Sequence, residues 1–120
     1  MKKNIYIVDD DTFLTSMYNL SIQGPDREIT IMHDGEAAVA AIDAKRPDLL
    51  ILDLLMPKLD GFGVLEYCKK KEYTFPIIIL SNIEDAMDKA KCMRIGAKDY
   101  YSKNSTDLDE LAAKVSGQLA

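Results

Sequence analysis

The sequence predicts an α/β fold: a doubly wound (βα)5 chain whose five-stranded parallel sheet runs in the order 2-1-3-4-5, with helices on both faces. Three observations predict it. Leu49-Leu-Ile-Leu52 and Pro76-Ile-Ile-Ile-Leu80 are apolar with no polar alternation, as strands buried on both faces of a parallel sheet are. Glu28-Ile-Thr-Ile-Met32 alternates polar and apolar residues, which suits a half-exposed edge strand. Helical patterns separate successive strands, so the crossovers are right-handed and cover both faces. Two apolar strands inside and an alternating second strand at an edge select this order, with its switch point between the first and third strands.

Taken in turn, Ile5-Tyr-Ile-Val8 opens the fold as a short strand that stops at Asp9-Asp-Asp11-Thr12. Asp11 or Thr12 caps the next helix, whose stripe is Phe13, Leu14, Met17, Tyr18, Leu20 and Ile22, and Gly24-Pro25 ends it. After the edge strand, an Ala-rich helix runs from Gly35 to Ile42, and Arg46-Pro47-Asp48 halts it. The strand Leu49–Leu52 ends at Asp53; Phe62, Val64, Leu65 and Cys68 then mark a helix that runs out in Lys69-Lys-Lys71, cations suited to a helix C-terminus. Pro76–Leu80 ends at Ser81-Asn82. A helix from about Glu84 to Arg94 follows, with Ala86, Met87, Ala90 and Met93 as its inner positions and Ile95-Gly96 as its stop. Asp99-Tyr-Tyr101 is the last strand. Asn104-Ser-Thr-Asp107 is rich in capping residues, and Leu108, Leu111, Ala112, Val115 and Leu119 form the final helix face.

The chain of 120 residues is expected to be one domain, 1–120, without linker, second domain, export signal or membrane span. With 15 Lys+Arg against 20 Asp+Glu its net charge is −5, which disfavours nucleic acid as a direct partner. Cys68 and Cys92 stand far apart with no C-x-x-C pairing, so they read as small hydrophobes in a reducing compartment, the cytoplasm. His33, just after the second strand, is expected to be a surface or hydrogen-bonded residue away from the site, and Met17, Met32, Met87 and Met93 to be core residues.

The strand ends carry the chemistry. Asp9 and Asp10 follow strand one, Asp53 strand three, Ser81 strand four and Lys103 strand five, all at the edge where open α/β sheets bind ligands. Carboxylates held close repel one another, and a bound cation relieves them. An all-oxygen site open to water favours Mg2+. Lys103 and Ser81 add donors for a phosphoryl group, and a carboxylate can attack phosphorus to give an aspartyl phosphate. Asp53, on a central strand, is best placed for that.

Val8-Asp9-Asp10, Asp53 with Met56-Pro57 and Asp60-Gly61, Leu80-Ser81, Gly96-Ala97, and Tyr100 three residues before Lys103 together resemble the receiver domains of bacterial two-component response regulators, over essentially the whole chain. The resemblance implies a flavodoxin-like fold in a stand-alone, chemotaxis-regulator-like receiver. That family has the strand order given above, so the two arguments are not independent. It implies a phosphoacceptor protein, not a conventional enzyme, whose Asp53 takes a phosphoryl group from a sensor histidine kinase or histidine phosphotransfer protein. Asp10, Asp53 and the Leu55 carbonyl would ligate Mg2+, with Asp9 acting through water. Lys103 would pair with Asp53 and then with the phosphoryl oxygens, Ser81 would move to bond one of them, and Tyr100 would rotate inward. A downstream protein would bind the surface of helix 4, strand 5 and helix 5, and the domain would be a monomer or a weak phosphorylation-dependent dimer.

Some residues depart from the family pattern. Lys103 is followed by Asn104 where proline in a cis peptide is usual, and a trans bond is expected because a cis bond before a non-proline residue costs about 2.5 to 4 kcal/mol. Asn82 replaces a small residue after Ser81. Leu55 and Ile83 are apolar where polar side chains can position attacking water, which implies a long-lived phosphoryl state. Other functions compete. A haloacid-dehalogenase-type hydrolase would need threonine where Phe13 stands. An FMN carrier would need a Gly- and hydroxyl-rich phosphate loop where three aspartates stand. A degenerate receiver acting by protein contacts without phosphorylation remains the alternative.

Overall fold

The computed structural model describes residues 2–120. Its elements alternate without exception: β1 Lys3–Val8, α1 Thr12–Ile22, β2 Arg27–Met32, α2 Gly35–Ala44, β3 Leu49–Leu52, α3 Gly61–Lys70, β4 Ile77–Ser81, α4 Ala86–Ile95, β5 Asp99–Ser102 and α5 Leu108–Leu119. All strands are parallel, in the order β2-β1-β3-β4-β5. The fold is the flavodoxin-like one that the sequence predicts, with β2 at an edge. Its alternating burial contrasts with the unbroken burial of β3 and β4.

Successive side chains of a strand point to opposite faces, and this divides the core in two. Leu50 and Leu52 of β3 pack with Val8, Ile77 and Ile79 beneath α2, α3 and α4; Leu49 and Ile51 pack with Ile5, Ile7, Ile78 and Leu80 beneath α1 and α5. All five helices share one signal, an aspartate N-cap whose side chain accepts a backbone N–H of the first turn: Asp11 from Leu14, Asp34 from Ala37, Asp60 from Gly63, Asp85 from Met87 and Asp107 from Glu110. Asp107 and Glu110 complete a capping box.

Two helix faces differ from expectation. In α1 the buried residues are Thr15, Tyr18 and Ile22, while Phe13 is 71% exposed and Leu20 also faces solvent. At 3.6 residues per turn Phe13 and Leu20 lie about 180° around from the Thr15–Tyr18–Ile22 stripe, so one helix cannot bury both. In α4 all four expected inner residues, Ala86, Met87, Ala90 and Met93, are exposed, and Cys92 is the buried one, with Asp88 and Ile95 half-buried beside it. Here the expected and observed faces are opposite, whereas in α1 only Phe13 and Leu20 of the expected stripe are turned outward. The reason is position: α4 leans on α3 and on β5, the last strand of the sheet, so a narrow stripe suffices to seat it. Met17 is half-buried and Met32 buried; with Met87 and Met93 outside, the expectation of four core methionines is corrected for the two on α4. Both cysteines are buried and free, and burial raises each thiol to about 11.

Gly61 ties α3 to the end of β3. Its N–H donates to the Leu54 carbonyl at 2.9 Å, and a Cβ at this position would stand 2.3 Å from the Asp53 carbonyl oxygen and 2.7 Å from Leu54 Cα. Those neighbours are backbone and cannot step aside. Gly61→Ala is therefore expected to lower the unfolding free energy by about 1–3 kcal/mol, the usual range for overpacking, read from the urea midpoint at unchanged slope.

Candidate functional site

At the carboxyl ends of the strands the polar residues converge. Asp53, 5% exposed, ends β3 and is anchored by its N–H donating to the Val8 carbonyl of β1 at 2.9 Å. Asp9, 3% exposed, ends β1 in the same way, its N–H on the Met32 carbonyl of β2. Asp10 is exposed at the mouth. Asp9, Asp10 and Asp53 each offer a carboxylate oxygen, and the three oxygens lie within 4.8 Å of one another.

Lys103 enters from the end of β5. Its Nζ lies 2.7 Å from Asp9 Oδ2 and 3.2 Å from Asp53 Oδ2, with all three side chains almost fully buried. The remaining oxygen of each acid is held by backbone: Asp9 Oδ1 accepts from the Asp11 N–H at 3.0 Å, and Asp53 Oδ1 from the Leu54 N–H at 2.8 Å. One ammonium thus bridges two buried carboxylates. The peptide bonds of the described residues are all trans, Lys103–Asn104 included, as expected for a residue other than proline. That loop is held instead by the Lys103 N–H on the Ser81 carbonyl at 3.0 Å and by Ser102, whose hydroxyl donates to Glu84 at 2.7 Å and accepts from the Asn104 N–H at 3.2 Å.

Residues 5–116 match the response regulator receiver domain family. The chain belongs to that family. It is 31% identical over 103 residues to the alkaline phosphatase synthesis transcriptional regulatory protein PhoP of Bacillus subtilis, covering 86% of this chain and 43% of that protein. The chain spans about half the length of the curated relatives it matches. The Francisella response regulator 1452 receiver domain superposes with a TM-score of 0.90 at 26% identity, covering 98% of this chain and 97% of that one. The Mn(2+)-bound form of response regulator Rcp1 superposes with a TM-score of 0.81 at 28% identity, covering 96% and 90%.

In this receiver domain Asp9, Asp10, Asp53, Ser81 and Lys103 lie at the carboxyl ends of the strands, and Lys103 pairs with Asp53 as expected while also pairing with Asp9. Lys103 lies nearer to Asp9 than to Asp53. Tyr100, expected to rotate inward on switching, is already buried, its hydroxyl donating to the Ile83 carbonyl. Ser81 is wholly buried and its hydroxyl oxygen accepts from the Ile83 N–H at 3.1 Å, so Ser81 and Tyr100 grip the two sides of one residue. Leu55 is 62% exposed, and Ile83 is half-buried against the core. His33 is exposed and hydrogen-bonded, as expected, but it is not remote from the site: its Nδ1 lies 2.9 Å from the Asp9 carbonyl oxygen. Pairing of β1 and β2 carries their ends to the same level, a contact that spacing alone does not reveal.

Three acids and one base leave an electrostatic imbalance. Burial, then the Asp9 charge, pushes the Asp53 carboxyl above its ordinary 3.8, and Lys103 offsets this only in part. Burial pulls the Lys103 ammonium down, but its contacts with Asp9 and Asp53 outweigh that and hold it above its usual 10.5. All the donors are oxygen and the mouth is open at Asp10, which fits a hard divalent cation. A raised carboxyl pKa means that ionised Asp53 is disfavoured in the folded state above that pKa, and the penalty fades as pH falls toward the ordinary carboxylate range. Without divalent cations, Asp53→Asn should therefore be more stable to urea than the parent at pH 7, with the difference closing as pH is lowered toward 4.

Proposed function

We propose that this receiver is a phosphoacceptor of a two-component phosphorelay, and that Asp53 takes the phosphoryl group from a phosphohistidine of a sensor kinase or phosphotransfer protein. The observation that carries this reading is the bridge: a buried carboxylate at the end of the central strand, 3.2 Å from an ammonium and beside two further carboxylates. An Asp53 oxygen attacks phosphorus, the P–N bond breaks, and the imidazole leaves with the electron pair and takes up a proton. Asp9, Asp10, Asp53 and the Leu55 carbonyl would hold Mg2+, which when bound neutralises charge on the transferred oxygens. Lys103 turns from Asp9 toward those oxygens. Because Asp53 and Lys103 are held by separate strands, they meet the incoming group in fixed positions.

The switch is read from Ile83. Once the Ser81 hydroxyl turns to a phosphoryl oxygen, the Ile83 N–H loses its acceptor while its carbonyl stays tied to Tyr100. The segment from Ser81 to Glu84 then shifts together with the start of α4, a two-state element biased by a covalent charge. Support for the partner surfaces comes from exposure. Phe13 on α1 and Leu55 after β3 are exposed apolar side chains following Asp11 and Asp53, suited to the phosphodonor. The face of α4 that carries Ala86, Met87, Ala90 and Met93, with β5 and α5, suits a downstream protein, its methionines able to repack against a partner. No helix among the described residues is long and apolar enough to cross a membrane, and a cytoplasmic location is part of the proposal.

Incubation with Mg2+ and a small phosphodonor should add one phosphoryl mass to the protein, and Asp53→Asn should abolish it. A mass gain that survives Asp53→Asn, or none in the parent, contradicts the reading. Mg2+ at a hundredfold excess over its dissociation constant should stabilise the parent by about 2.7 kcal/mol in urea unfolding.

A further inference from the structure

The turn between β2 and α2 carries none of the site residues, yet it touches both walls of the crevice. On one side His33 Nδ1 lies 2.9 Å from the Asp9 carbonyl oxygen. A carbonyl oxygen only accepts, so Nδ1 carries the proton and donates. On the other side Asp34 lies 3.7 Å from the Lys58 ammonium, and α2 begins against the loop that carries Leu55. A Cβ on Gly35 would stand 2.0 Å from the Leu59 carbonyl oxygen, so only glycine lets the helix start this close to that loop. The His33 ring is exposed, but its turn is pinned by this approach and by the Asp34 carboxylate, which accepts from the Ala37 N–H at 2.8 Å.

The backbone of Asp9 is thereby held on both sides. Its N–H donates to the carbonyl of Met32, the residue before His33, at 3.1 Å, and its own carbonyl accepts from the His33 ring. A peptide unit is planar, so with the Asp9 Cα set by the strand, the place of its carbonyl oxygen determines where the Asp10 Cα lies. Asp10 is exposed at the mouth, and its carboxylate takes its reach from that backbone. We propose that His33 is a positioning residue for the cation site: its Nδ1–H holds the Asp9 carbonyl and, through that peptide, aims the Asp10 carboxylate at those of Asp9 and Asp53. Outer hydrogen bonds of this kind orient ligands for a metal that they do not touch themselves. Because the same turn is seated on Leu59, it also braces the acids against the loop whose Leu55 carbonyl completes the site.

The inference rests on reading the crevice as a divalent-cation site, and the parent protein separates the two. Mg2+ is titrated into the unphosphorylated parent, His33→Leu and His33→Asn, and binding is followed by the backbone amide NMR signals of Asp10 and Leu54. Leucine keeps the branch at Cγ without an N–H, whereas the asparagine amide nitrogen is bonded to Cγ as Nδ1 is. The expected result is binding about tenfold weaker in His33→Leu, the lower end of the loss when an outer partner of metal ligands is removed, and within about twofold of the parent in His33→Asn. His33 is the single histidine of the chain, so its ring 15N signals need no assignment, and the neutral ring is expected to carry its proton on Nδ1. Equal affinity in the parent and His33→Leu, an equal loss in both variants, or a neutral ring with its proton on Nε2 overturns the role of His33 alone. The ring signals of the parent decide the matter even if a variant folds poorly. A parent that does not bind Mg2+ overturns the reading of the crevice and the role of His33 with it.

Discussion

One ammonium between two buried carboxylates is the interaction on which the rest depends. Asp9 and Asp53 end neighbouring strands and are brought together by the sheet whether or not their charges suit it. Each gives one oxygen to a backbone N–H and the other to Lys103. A buried pair of this kind is poor evidence for stability, since desolvation opposes the attraction. Its consequence is chemical: two like charges share a single counter-charge, and with Asp10 they form an acidic cluster that could hold a divalent cation.

The fold supplies this arrangement through the parallel sheet. Strands that all run one way bring all their carboxyl ends to one edge, and the short stops after β1, β3, β4 and β5 put acid, acid, hydroxyl and amine there. Close backbone approach does the rest. Gly61 lets α3 begin against the Asp53–Leu54 backbone, and the β5–α5 turn is tied to β4 by Lys103 N–H and to the β4–α4 loop by Ser102. Ile83 links site and surface, because the hydroxyls of Ser81 and Tyr100 hold opposite sides of it.

Much of this was legible in the sequence because strand patterning has a period of two and leaves little choice of face. The unbroken apolar runs of β3 and β4 and the alternation of β2 gave the strand order, and the site residues followed from where those runs stop. Helix faces were harder. α1 and α4 carry apolar residues on opposite sides, and only the packing decides which side is inside: Thr15 and Tyr18 over Phe13 and Leu20, Cys92 over Met87 and Met93. Contacts between strand ends were hardest, since the closeness of Lys103 to Asp9, or of His33 to the Asp9 carbonyl, depends on register and loop path. The alternation that located the site carries no information about which acid an amine prefers.

The central claim is that Lys103 is what makes the acid pair tolerable. It is tested most directly by the unfolding free energy of Lys103→Met, of similar length but uncharged, at pH 7 with and without Mg2+. Removing one member of a buried charge cluster should destabilise the protein by about 3–5 kcal/mol without the ion, and Mg2+ should recover more stability in the variant than in the parent. A variant as stable as the parent without Mg2+ would contradict the account.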